Sequence, residues 1–97
     1  MRTILYCDVS AAARVLLGIP KSKRAEMCAR MLGEADLADR FLRRKGQVHP
    51  RWGNGTLLDA ARRREMQAEA SFDDADYCAC FQEVLRAICR RPRSMFL

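Results

Sequence analysis

Apolar residues recur at helical spacing along most of this 97-residue chain. The clearest stripe follows the i, i+4, i+7, i+8, i+11 pattern of one helix face: Tyr77, Phe81, Val84, Leu85 and Ile88. A longer stripe recurs at steps of three or four residues: Met27, Met31, Ala35, Ala38 and Leu42. Three neighbouring apolar residues widen it: Cys28, Leu32 and Phe41. This periodicity predicts an all-α, small orthogonal or bundle-like domain of three to four helices. Its second and fourth helices are expected to form the principal packed pair.

Capping residues set the limits of the first two predicted helices. Asp8 is predicted to be the N-cap of a helix over residues 9–17, because its carboxylate can accept hydrogen bonds from free backbone N–H groups. Gly18 is expected to end that helix. The second helix is predicted to begin near residues 20–22, to end at about Lys45 and to carry acid–base pairs spaced four apart: Glu26–Arg30, Asp36–Arg40 and Asp39–Arg43.

The third and fourth predicted helices begin at polar residues that suit helix starts. Thr56 with Asp59 resembles a capping box, and the helix that follows is apolar only at its beginning and is predicted to end near Ala70. Ser71 or Asp73 is predicted to cap the fourth helix, whose acidic first turn complements the helix dipole.

Three stretches lie outside these helices. Residues 46–55 contain three glycines and one proline and are predicted to form the one long loop. Residues 1–7 form a lead-in, of which residues 2–7 are either extended or the first turn of a helix. Residues 92–97 form a short tail that begins with the helix-ending Pro92. The tip of this tail, Met95-Phe96-Leu97, is either a docking peptide or a segment folded back on the core. The whole of 1–97 is therefore predicted to be a single helical domain.

Composition and charge narrow the function classes. Apolar residues make up 49% and charged residues 31% of the chain, which is typical of a globular protein and not of a disordered one. No membrane-spanning stretch or signal peptide is recognised, so we expect a cytoplasmic protein without a membrane partner. The net charge of +6 favours an anionic partner, either nucleic acid or an acidic protein surface. An Arg- and Ala-rich composition would also follow from a GC-rich genome, whatever the function.

Residue types that often serve catalysis or metal binding do not occur in this sequence at the spacings that either function requires. An odd number of cysteines predicts reduced, buried, structural thiols: Cys7, Cys28, Cys78, Cys80 and Cys89. Cys78 and Cys80 lack Cys-x-x-Cys spacing and His49 is the only histidine, so no metal or cofactor is expected. No nucleophile motif or phosphate-binding glycine loop occurs, and we therefore expect a protein that is not an enzyme.

The strongest candidate site combines basic and aromatic residues over 40–52: Arg40, Arg43, Arg44, Lys45, His49, Arg51 and Trp52. Arginine and lysine bind phosphates, and an exposed tryptophan stacks on unpaired bases. Each part has a structural alternative, because a basic turn complements the helix dipole, Trp52 can fill the core, and His49-Pro50 can form a turn. The second basic run, residues 62–64, is expected to be a solvated helix face.

These observations support two function hypotheses of nearly equal weight. The first is a small basic accessory or regulatory protein that binds nucleic acid or a nucleoprotein assembly through residues 40–52. The second is a protein–protein adaptor, or a homo-oligomeric structural component, whose arginine-rich surface meets acidic patches. A remote third is an enzyme subunit that lends residues to a shared site.

Three segments carry a resemblance to a known family: residues 11–17 (Ala-Ala-Ala-Arg-Val-Leu-Leu), 34–40 (Glu-Ala-Asp-Leu-Ala-Asp-Arg) and 49–57 (His-Pro-Arg-Trp-Gly-Asn-Gly-Thr-Leu). They are similar to a family of short, uncharacterised alphaproteobacterial proteins, and the likeness covers most of the chain. The resemblance implies a bacterial, cytoplasmic protein. It implies no activity, ligand or catalytic residue.

Overall fold

The structure, a computed structural model, describes residues 1–91 and contains four α-helices in that range. They are α1 (Tyr6–Leu17), α2 (Arg24–Lys45), α3 (Leu57–Arg62) and α4 (Ala75–Arg90), and a 3-10 turn (Lys21–Lys23) leads into α2. No strand forms among these residues, so the predicted all-α class is confirmed. The predicted stop at Pro92 and the tail over 92–97, with its tip Met95-Phe96-Leu97, lie outside the described residues.

The short helix α1 forms the centre of the core, and its small residues explain why. Ala12, Ala13 and Leu16 have no measurable exposure, and Ala11 and Val15 are almost as deeply buried. Alanine side chains let neighbouring helices approach closely, and the most extensive helix contacts are those of α1 with α4 and with α3. The expectation that α2 and α4 form the principal packed pair is therefore wrong, although these two helices also touch.

The direction of the helices follows from a few contacts. The hydroxyls of Ser10 and Tyr77 lie 3.3 Å apart, and the ring of Tyr6 lies 5.9 Å from that of Phe81, so α4 runs antiparallel to α1. Arg24, the first residue of α2, bonds to Asp76 in the first turn of α4. Helices α2 and α4 therefore begin at the same end of the molecule.

Asp8 is not the N-cap of α1 but its third residue, and Leu5 occupies the cap position. One carboxylate oxygen of Asp8 accepts a hydrogen bond from the Leu5 N–H at 2.8 Å, and the other accepts one from the Leu58 N–H, also at 2.8 Å. The buried carboxylate therefore satisfies free N–H groups at the starts of both α1 and α3. This second partner, 50 residues away, makes the position more than a local cap.

Helix α3 is shorter than predicted, because it ends at Arg62 rather than near Ala70. The four residues after Ala61 are all charged, and although Met66 and Ala70 further on pack against the core, they form no continuous apolar stripe that would hold a helix. Residue 67 instead pairs with α1: the Gln67 N–H donates to the Arg14 carbonyl at 3.1 Å, and Arg14 Nε donates to the Gln67 carbonyl at 2.7 Å.

Helices α2 and α4 follow their predicted spans closely. Gly46 ends α2 in the left-handed region with φ of 71°, and the three predicted ion pairs form at 3.3, 2.6 and 2.8 Å: Glu26–Arg30, Asp36–Arg40 and Asp39–Arg43. The N-cap of α4 is Asp74 rather than Ser71 or Asp73, since its carboxylate accepts from two N–H groups of the first turn. Within residues 1–91, no helix is long and apolar enough to cross a bilayer.

Candidate functional site

The seven candidate residues lie together at one end of the molecule, in the last turns of α2 and in the loop over 46–55. Five are exposed cations and two are half-buried ring side chains; in order they are Arg40, Arg43, Arg44, Lys45, His49, Arg51 and Trp52. The structure separates them into groups with different surroundings, and these groups differ in what they can bind.

Two of the arginines are held by acids one helical turn before them. Arg40 lies 2.6 Å from Asp36, and Arg43 lies 2.8 Å from Asp39. The amino group of Met1 also donates to Asp36 at 2.8 Å and lowers the pKa of that carboxyl below its usual value. Asp39 is buried, and its Oδ2 makes ion-pair contacts with Arg43 and the Met1 amino group that lack hydrogen-bond alignment. Arg40 and Arg43 are thus partly neutralised.

Arg44, Lys45 and Arg51 have a different environment. All three are exposed, and none makes an ion pair with any acid in residues 1–91. Their charges are therefore the ones most open to an anionic ligand. Exposed cations of this kind attract phosphates by charge, and an arginine can also bind two phosphate oxygens at once.

His49 is part of the loop scaffold. Its Nδ1 accepts hydrogen bonds from the backbone N–H groups of Arg51 and Trp52, both at 3.0 Å. The backbone of His49 also exchanges two hydrogen bonds with Gly53 at 3.1 Å, which closes the turn. The nitrogen that would accept a ligand's proton is therefore occupied, and the turn-forming alternative for His49 holds.

Trp52 is half-buried and stacks on His49, with ring centroids 4.8 Å apart and planes 15° apart. His49 in turn meets Phe41 of α2 edge-on at 4.7 Å, which fixes the loop to the helix. The guanidinium of Arg51 lies 6.0 Å from the Trp52 ring centroid. Trp52 is neither a deep core residue nor a bare platform, because His49 covers one of its faces.

Arg63, from the second basic run over residues 62–64, also lies beside the loop, and the sequence pattern did not predict this. The guanidinium of Arg63 lies 3.5 Å from Asp59 and 2.9 Å from where a Cβ on Gly53 would lie, so the end of α3 contacts the loop. Gly55 has φ of 90° and lies so close to the Asp39 backbone that a Cβ would come within 2.8 Å. Only a glycine allows this approach of loop to helix. In the sequence, the two glycines Gly53 and Gly55, two residues apart in the loop, are the feature that could have indicated this close approach.

Much of the net charge of the protein comes from residues 34–64. They contain eight of the 18 basic residues and four of the 12 acidic ones, Glu34, Asp36, Asp39 and Asp59, and each of these acids pairs with one of the cations. The rest of the chain has ten basic and eight acidic residues. The acidic residues Asp73, Asp74 and Asp76 lie at the opposite end, where α2 and α4 begin. Since α2 has 22 residues, about 33 Å separates the two ends.

The cysteines divide into two groups, and the prediction that all are buried is wrong. Cys28 and Cys80 are buried, but Cys7 and Cys89 are exposed and Cys78 is partly exposed, and all five are free thiols. Burial, with the Glu83 carboxylate adding to it, raises the pKa of Cys28 to about 12, and burial also raises the pKa of Cys80. Among residues 1–91 no three His, Cys, Asp or Glu side chains are grouped to hold a metal.

A small cavity lies between the end of α1, the start of α2 and the segment that follows α3. Its volume is about 90 Å³, and its lining residues include Val15, Gly18, Met27, Arg64 and Gln67. Small-molecule sites usually occupy roughly 300–1,000 Å³, so this cavity does not suit a cofactor.

Comparison with known proteins gives one match, which covers nearly the whole chain. The model of a family described as a domain of unknown function (DUF7742) matches residues 2–88. No curated protein and no solved structure matches significantly. The resemblance to an uncharacterised family is thereby confirmed at that level.

Proposed function

The chain belongs to the DUF7742 family, whose function is unknown, and we propose that it is a small accessory or regulatory protein that binds nucleic acid through the basic end of α2. One observation carries the proposal: Arg44, Lys45 and Arg51 are exposed together at this end and make no ion pair with an acid of residues 1–91. The neighbouring arginines that have acidic partners are Arg40, Arg43, Arg63 and Arg64. A concentrated positive field at one end is what a polyanion recognises.

The contacts that we propose follow from the pairing of the cations. Arg44, Lys45 and Arg51 are exposed without an acidic partner among residues 1–91, and they bind phosphate oxygens directly. Arg40 and Arg43 already have carboxylate partners and contribute mainly to the field. Because His49 covers one face of its ring, Trp52 stacks on one unpaired base at most.

We also propose that the protein has no catalytic role and that it acts in the bacterial cytoplasm. The arrangement offers phosphate contacts but no nucleophile, base or metal group for chemistry, which supports a binding role without catalysis. The likeness of residues 11–17, 34–40 and 49–57 to alphaproteobacterial sequences supports a bacterial, cytoplasmic protein. The nucleic acid is either free or part of a nucleoprotein assembly.

A matched pair of triple variants tests the proposal. Changing Arg44, Lys45 and Arg51 to Gln should weaken binding to a fluorescent single-stranded DNA and RNA at low salt. The log–log salt slope should fall by about 0.7–0.9 for each phosphate that the variant no longer binds. The control variant changes Lys21, Lys23 and Arg30 to Gln, which removes the same charge from the other part of the molecule. Its salt slope should stay close to that of the wild type.

Trp52→Ala tests the stacking part. It should cost about 1–3 kcal/mol of affinity for a single strand and should leave binding to a duplex nearly unchanged. The nucleic-acid proposal is wrong if the wild type binds neither DNA nor RNA in low salt, where such binding is strongest. Nuclease-resistant capture of an acidic protein by the same three cations would then support the adaptor hypothesis instead.

A further inference from the structure

A second surface, which the nucleic-acid proposal does not use, exposes a cluster of aromatic and aliphatic side chains around Phe81 of α4. The rings of Phe72 and Tyr6 lie 5.0 and 5.9 Å from that of Phe81, and Leu85 follows one helical turn later. Tyr6 is 59%, Phe72 53% and Leu85 45% exposed. Half of the six large hydrophobic side chains that stand exposed in residues 1–91 therefore gather at one place. Such a patch is typical of a protein–protein contact.

The outer face of α4 extends this patch. Six of its outward positions are uncharged, and all of these except Gln82 are small or apolar: Ala75, Cys78, Ala79, Gln82, Leu85 and Cys89. Asp73 and Asp74 lie at its start. Arg86 and Arg90 lie in its second half, 3.8 and 3.5 Å from Glu83 of the same helix, so that half keeps one net positive charge. The face therefore has an acidic start and a basic second half.

We propose that this face binds a second copy of the chain, with the two α4 helices packed antiparallel about a two-fold axis. An antiparallel pair sets the acidic start of each helix against the basic end of the other, whereas a parallel pair would set like charges together. The same surface is then complementary to itself, as a two-fold interface requires. A second copy of the chain provides the complementary charges, and no other kind of partner is required.

The charges also set the approximate register of the two helices. When Gln82 of each copy lies at the two-fold axis, the acidic start of each α4 lies alongside the basic half of the other. Leu85 then lies within one helical turn of the axis, near the centre of the contact. Phe72, Tyr6 and Phe81 close one edge of the contact.

The first test is sedimentation of the full chain, free of nucleic acid, over a wide concentration range. The wild type should show a reversible monomer–dimer equilibrium. Leu85→Glu should raise the dimer dissociation constant at least about tenfold, as the removal of a central apolar anchor does. The control is Leu37→Glu on α2, because Leu37 is 47% exposed but lies away from the patch. It should leave the dissociation constant unchanged.

The second test addresses the antiparallel arrangement. Asp73→Arg and Arg90→Glu should each raise the dissociation constant by about threefold to tenfold, because each reverses one charge in both symmetric contacts. The double variant carries complementary charges again and should return to near the wild-type value. Asp73 is used because Asp74 caps α4, and circular dichroism confirms that each variant is folded.

The outcomes separate this proposal from the nucleic-acid proposal. A wild type that is monomeric at every concentration overturns the dimer, and so does equal weakening by Leu85→Glu and Leu37→Glu. A double charge variant that dimerises worse than either single variant overturns the antiparallel arrangement. None of these results depends on residues 40–52, so nucleic-acid binding can succeed or fail independently.

Discussion

Arg24 forms a bidentate ion pair with Asp76, in which its two terminal nitrogens donate to the two carboxylate oxygens at 2.9 and 3.2 Å. The Nε of the same side chain donates to the carbonyls of Leu16 and Ile19 at 2.9 and 3.0 Å. Arg24 is 8% exposed. One buried guanidinium therefore satisfies carbonyls at the end of α1 and connects the starts of α2 and α4.

Arg24→Lys should destabilise the fold although it preserves the charge. A lysine cannot reach two carbonyls and two carboxylate oxygens in the planar geometry of a guanidinium. Several charge-assisted hydrogen bonds disappear, and we expect a decrease of about 2–4 kcal/mol in the free energy of unfolding, measured with urea. Arg30→Lys is the control, because Arg30 makes only an exposed pair with Glu26 and should change stability by less than about 0.5 kcal/mol. Equal effects of the two substitutions would contradict this role of Arg24.

The same ion pair predicts how stability depends on pH. The hydrogen bond from Arg24 holds the pKa of Asp76 below its usual value. A carboxyl with a lowered pKa in the folded state binds fewer protons there than in the unfolded state, so its contribution is present above the unfolded pKa of about 3.9. It is lost as the pH falls through the lower folded pKa. Asp76→Asn should therefore be less stable than the wild type at pH 6, and this difference should shrink below about pH 4. A difference that stays constant from pH 6 to pH 2 would contradict the pairing.

Removing the hydrogen-bond acceptor of the His49 side chain should lower the stability of the protein. Its Nδ1 accepts hydrogen bonds from two backbone N–H groups of the loop. His49→Leu should cost about 1–2 kcal/mol, because it removes two half-exposed hydrogen bonds. His49→Asn should retain much of the stability, since its side-chain oxygen can accept from N–H groups two or three residues on. The fluorescence of Trp52, the only tryptophan, reports whether the loop keeps its place. If both variants behave alike, the acceptor role is wrong.

Much of the fold could be predicted from the sequence where one segment carries a strong pattern. Helices α2 and α4 have long apolar stripes, and their observed spans match the prediction closely. The three ion pairs of α2 depend only on i, i+4 geometry and therefore also formed as predicted.

The central place of α1 could not be predicted in the same way. Its run of three alanines has a weak apolar signal, yet all three are buried in the core. Asp8 was expected to act locally, but its second partner lies in α3, and no local sequence pattern contains that information. The early end of α3 was signalled by the absence of apolar residues directly after Ala61.

The candidate site was predictable in its membership but not in its internal pairing. Residues 40–52 lie close together simply because they are neighbours in the chain. Arg40 has an acidic partner, whereas Arg44 and Arg51 have none among residues 1–91, and this difference depends on where the acidic side chains of α2 lie. The contact of Arg63 with the loop depends on how α3 packs, which only the structure provides.

The five cysteines should differ in their reactivity towards thiol reagents according to their burial. A thiol reacts as its thiolate, and burial keeps the thiols of Cys28 and Cys80 protonated by raising the pKa of each, for Cys28 to about 12. In the folded protein at about pH 8, at a concentration where the chain is monomeric, Ellman's reagent should react quickly with Cys7 and Cys89, which are exposed. Cys78 should react more slowly, because it is partly buried and its Sγ donates a hydrogen bond to the Phe72 carbonyl at 3.0 Å.

Cys28 and Cys80 should react only after unfolding in denaturant, so their labelling rate should follow global opening of the fold. Cys28→Ser should destabilise the protein by about 1–3 kcal/mol, since it places a hydroxyl in an apolar site. Cys7→Ser is the matched control on the surface and should be nearly neutral. Rapid labelling of Cys28 in the native protein, at a rate independent of denaturant, would show that the packing between α2 and α4 is looser than the structure describes. Since Cys28 and Cys80 are buried in the same core, both thiols should lose their protection together.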